Sequence, residues 1–86
     1  MENILETQFV ELVGKVARGE MTIEKVLDKI QQVATLLTQE LYEKGTLHLN
    51  SDMVATLQKM FKFVVLFGNN IVLEAVLYSL LNGNVE

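Results

Sequence analysis

Not one proline occurs in this 86-residue chain, and apolar residues return every three or four positions along most of it. Proline in a helix interior removes a hydrogen bond and clashes with the preceding turn, whereas three- and four-residue spacing lines one side of a helix. Together the two features predict an all-α fold. Glycine and Asn/Asp/Ser/Thr punctuation divides it into four helices at about 3–18, 23–44, 51–67 and 71–82, a four-helix bundle. No internal repeat, low-complexity tract or long linker separates parts of the chain, so residues 1–86 are read as one domain.

Each boundary has a local cause. The first segment lines up Leu5, Phe9, Leu12, Val13 and Val16, with Glu2, Glu6, Glu11, Lys15 and Arg18 elsewhere, and Gly19 offers a left-handed stop. Thr22 is placed to cap the second helix, whose seam of Ile23, Leu27, Ile30, Ala34, Leu37 and Leu41 alternates steps of four and three. Gly45 ends it, and Thr46 to Asn50 is read as loop. Asn50 or Ser51 opens the third helix, which turns Met53, Val54, Leu57, Met60, Phe61 and Val64 inward. Gly68, Asn69 and Asn70 break it because these residue types tolerate positive φ, and Asn70 caps the fourth helix. Gly14, inside the first helix, costs about 1 kcal/mol relative to Ala, which points either to close approach of another helix or to a tolerated surface glycine.

The fourth helix is the anomaly. Its polar positions, Asn70, Glu74, Tyr78 and Asn82, form a stripe one residue wide with Ser79 beside it, and apolar side chains fill nearly all the rest. A helix apolar on nearly every side is normally covered on nearly every side. Phe63, Val65, Leu66 and Phe67 add to the surplus at the end of the third helix. A four-helix monomer leaves each helix an outer face, and a domain of this size buries only about 60% of its unfolded surface. The C-terminal hairpin is therefore expected to be completed by a second copy, giving a homodimer, with Phe63, Phe67, Val72, Val76 and Leu80 as interface anchors and Glu74 and Tyr78 as its polar members. A monomer in which the other three helices wrap the fourth is the competing expectation.

Chemistry is conspicuous by its scarcity. The single histidine, His48, has only Asp52 near it at a ligand-like spacing, so no metal site is expected. Ser51 and Ser79 lack the glycine-rich elbow of an activated nucleophile. Glu2 with Glu6 and Glu20 with Glu24 are read as solvated pairs near helix N-termini, where negative charge is favoured. The chain is expected not to be an enzyme and to use no cofactor. There is no cysteine, hence no disulfide or thiolate chemistry. A net charge of −4 opposes phosphate backbones, and the fourth helix, as a would-be DNA-reading helix, has no Lys or Arg with which to read guanine. Lys15, Arg18, Lys25 and Lys29 are interspersed with Glu20, Glu24 and Asp28, the mixture of an ordinary soluble surface. Lys62, Glu74 and the Gly-Asn-Asn turn interrupt the apolar run, which argues against a membrane span. MENILETQF opens with acid in place of a basic, then apolar, secretory leader, and a cytoplasmic setting is expected.

The expected function is that of a small, non-catalytic, self-associating helical module that binds another protein as adapter, inhibitor or regulator. Two alternatives from other classes remain. One is a nucleic-acid-linked transcriptional regulator working as a dimer. The other is a carrier of a small apolar ligand held among Met53, Met60, Phe61 and Phe63.

Overall fold

The computed structural model describes residues 4–83 and is all-α, with four helices and, among the described residues, no strand. They are α1 (Ile4–Ala17), α2 (Ile23–Lys44), α3 (Ser51–Phe63) and α4 (Ile71–Gly83), with α3 running on into a π-helical stretch at Val64–Gly68. Glu2 and Asn3 lie outside the described residues, as does the side chain of Leu5.

The ends form where side chains can satisfy the orphaned backbone groups. Thr22 Oγ1 accepts from the Lys25 amide at 3.2 Å, Asn50 Oδ1 from the Met53 amide at 2.8 Å, and Asn70 Oδ1 from the Leu73 amide at 3.0 Å. Gly45 sits at φ 74 and its amide donates to the Leu41 carbonyl at 2.8 Å, closing α2 in a left-handed turn. In the α3–α4 turn the left-handed residue is Asn69, at φ 47, rather than Gly68. Gly68 serves packing instead: a Cβ there would meet the Leu27 side chain at 3.1 Å, so its bareness lets the end of α3 settle on α2. Gly14 has no such role, since the only atoms near a Cβ at that position belong to the side chain of Arg18. The expected close helix approach at Gly14 is absent.

Three sets of contacts fix the topology. Phe9 stacks edge-on against Phe63, with ring centroids 6.1 Å apart, and Lys59 Nζ lies 3.3 Å from Glu6, so α1 and α3 run in the same direction. Phe61 meets Tyr78 at 6.2 Å across the α3–α4 hairpin, an antiparallel pair. Leu27 faces Gly68 at one end of the α2–α4 seam while Leu41 shares a hollow with Leu80 at the other, so α2 and α4 are parallel. α3 packs on both α1 and α4, α2 packs on α4, and α1 touches α2 more sparingly. Around the bundle the order is thus α1, α3, α4, α2, and the link from α2 to α3 spans a diagonal. That is why residues 45–50 form the longest connection, and why Leu47, in its middle, is buried in the core.

The core joins Phe9 of α1, Val26 and Ile30 of α2, Leu57 and Met60 of α3, Val64, and Leu73, Leu77 and Leu80 of α4. Thr56 is its buried polar member, and its hydroxyl donates to the Asp52 carbonyl at 2.9 Å, which removes the cost of burying it unpaired.

Candidate interaction surface

The orientation of α4 decides what the molecule shows to its surroundings. Leu73, Leu77 and Leu80, spaced four and three apart, all turn into the core. Burying three leucines contributes roughly 4–9 kcal/mol, and the rest of the helix follows their rotation. The stripe Asn70, Glu74, Tyr78, Asn82 does not face water as a unit. A four-residue repeat overshoots a 3.6-residue turn by about 40° at each step, so the stripe winds round the helix. Asn70 and Glu74 lie at the edge of the core, half-buried, and only Tyr78 and Asn82 reach the outside. The first turn of the outer face is left to Ile71 and Val72, followed by Ala75 and Ser79.

Ile71 is 78% exposed and Val72 74%. Beside them on the hairpin, Val65 is 48% exposed, Leu66 71%, Phe67 53% and Tyr78 60%. The exposed fractions amount to nearly four whole side chains, roughly 400–600 Å² of apolar surface at about 100–150 Å² each. That total is on the order of the largest apolar patch of an ordinary soluble monomer, here spread along the hairpin, with Val72 turned toward α2 and Phe67 lying against Phe63 on the α1 side.

The expected anchors separate into three groups. Phe67 and Val72 lie on the surface. Phe63 is half-covered between Phe9 and Phe67, the second ring at 4.9 Å, and Val76 is partly packed against the core. Leu80 is 3% exposed and belongs to the chain's own interior, where it cannot act as a surface anchor. Tyr78 is on the surface, and Glu74 is half-buried with no Lys or Arg within ion-pair distance among the described residues. Lys59, on the neighbouring α3, pairs with Glu6 of α1.

Alongside α4 runs a groove. Its first hollow, about 520 Å³, has Ala34 and Leu73 as floor, Val72 and Val76 as one wall, and Gln31, Thr35 and Thr38 of α2 as the other. A second hollow of about 420 Å³ shares Thr38, Val72 and Val76 and extends past Ala75 and Ser79. Tyr42, 92% exposed, stands at the lip. The α2 wall was not picked out from the sequence, although a signal was there: from Ile30 to Gln39 the chain reads IQQVATLLTQ, ten residues without a charge in a helix otherwise dense with them. Depletion of charge is the compositional mark of an interface centre.

The other singled-out residues do not converge. His48 and Asp52 are exposed, and no group of three His, Asp or Glu side chains suited to a metal occurs among the described residues. Arg18 is taken up by Glu20 at 3.1 Å. The Met53, Met60, Phe61 and Phe63 grouping is dispersed: Met60 in the core, Phe61 on Tyr78, Phe63 on Phe9. No helix among the described residues is long and apolar enough to cross a membrane. Comparison with family models, curated proteins and solved structures returns no match to this chain.

Proposed function

We propose that this protein is a non-catalytic helical interaction module of the cytoplasm, which self-associates and binds a protein partner through the outer face of its C-terminal hairpin, acting as adapter, inhibitor or regulator. The observation that carries the reading is the run of exposed apolar side chains Val65, Leu66, Phe67, Ile71, Val72 and Tyr78 on one hairpin of a domain whose core is already filled by other residues. Removing them from water by helix-against-helix packing is worth roughly 6–11 kcal/mol before the costs of association, at about 1.5–3 kcal/mol for each fully exposed side chain. Association costs of about 4 kcal/mol or more leave at most about 7 kcal/mol, a dissociation constant of roughly 10 μM or weaker.

The face carries neither Lys nor Arg, so its recognition is apolar, and the net charge of −4 acts at long range by disfavouring acidic partners. Light scattering of wild type beside Val72→Asp tests the reading. The wild type is expected to be larger than its 9.7 kDa chain mass, and the substitution, at an exposed position that the fold does not depend on, is expected to return it to that mass. A wild type that scatters as a single chain and retains no protein partner would remove the basis for the proposal.

A further inference from the structure

Resting on that reading, we propose that the occupant of the α2–α4 groove is a second copy of this chain, docked so that the two α2–α4 pairs form one four-helix layer about a two-fold axis. The interface would then include the middle of α2, which lies away from the exposed tip of the hairpin.

Three observations converge on this. The first is area: a standard interface takes about 800 Å² from each partner, somewhat over half of it apolar. Of the exposed large side chains, Ile71, Val72 and Tyr42 line the groove and supply roughly 250–350 Å² of apolar surface, more than half of the apolar share, and the uncharged Gln31, Thr35 and Gln39 beside them, all exposed, supply the polar remainder. The second is shape. A two-fold interface is self-complementary, so one patch must carry both a projection and a recess. The groove is the recess, and Ile71, Val72 and Tyr42, exposed along its two rims, are the projections.

The third is charge. No carboxylate lines the groove, so it offers a basic partner nothing to select. Glu24 and Asp28 lie beyond one end of it. Two copies with net charge −4 each can therefore meet here without pressing like charges together, provided the contact is centred on the uncharged stretch.

Sedimentation equilibrium on wild type, Thr35→Arg and Val72→Asp separates this inference from the reading beneath it. Thr35 is an exposed helix position where Arg suits the helix better than Thr, and an unchanged circular dichroism melt at dilute concentration verifies the fold. The expected result is a wild-type dimer at twice 9.7 kDa and dissociation raised by at least about 100-fold in both variants, because each places an unpaired charge in the closed interface. A dimer lost in Val72→Asp but kept in Thr35→Arg would overturn the α2 contact while leaving the hairpin reading intact. A monomeric wild type, or a dimer indifferent to both changes, would overturn both.

Discussion

Leu77 and Val72 stand five residues apart in the same helix and look alike as members of an apolar run, yet the fold treats them oppositely. Leu77 is fully buried, and Val72 is 74% exposed. Leu77→Ala deletes a side chain packed on all sides, so the cost is the lost transfer free energy plus a cavity, about 3–5 kcal/mol. A chain of 86 residues has roughly 4–13 kcal/mol in total at about 0.05–0.15 kcal/mol per residue. The substitution therefore removes much of the stability and lowers the melting temperature by about 15–30 °C, at roughly 5–6 °C per kcal/mol for a domain of this size. Val72→Ala removes atoms that already face water. Its small packing loss is offset by Ala's helix preference of about 0.5 kcal/mol, and the single-chain fold should change by no more than about 0.5 kcal/mol.

Circular dichroism melts at submicromolar concentration, where association is minimal, give both numbers. Raising the concentration should then stabilise wild type more than Val72→Ala, since burial in a dimer draws on the valine. Equal melting temperatures for the two variants at low concentration would refute the rotation assigned to α4, and with it every surface described above.

Two further predictions concern the helix ends. Asn50→Ala leaves the Met53 amide without its 2.8 Å acceptor and should lower stability by about 1 kcal/mol in urea titrations with an unchanged slope. Asn69→Val forces a β-branched residue to φ 47 and should cost about 1–2 kcal/mol by the same measurement, whereas Asn69→Gly should cost nothing or stabilise slightly.

Much of the fold is legible because the caps and stops are local. Thr22, Gly45, Asn50 and Asn70 each act through the nearest few residues, and a short window of sequence contains what decides them. The roles of the glycines are less legible. Gly14 and Gly68 both interrupt apolar runs, but only Gly68 is approached closely by another helix. That difference comes from how α2 lies against α3, which no local pattern encodes. Helix order around the bundle is hidden for the same reason, although the length of the 45–50 connection follows from it once it is seen.

For the surface, the surplus of apolar residues at 63–81 is visible in composition, but its distribution is not. In the sequence Leu80 is as available as Val72; the Leu73, Leu77 and Leu80 seam, which sets the rotation of α4, separates them. The α2 wall leaves no apolar pattern in the sequence, because its signature is missing charge: Gln31, Thr35, Thr38 and Gln39 read as ordinary solvent-facing positions, and only the groove places them opposite Val72 and Val76.

The most direct measurement is the mass of the unmodified chain in solution, followed by sedimentation equilibrium from about 1 μM to 1 mM, a span that brackets weak and moderate association. A mass rising from 9.7 kDa toward twice that value, with a single monomer–dimer constant describing all concentrations, is the predicted result. A mass fixed at one chain throughout the range would contradict the claim that a second copy covers the outer face of α4.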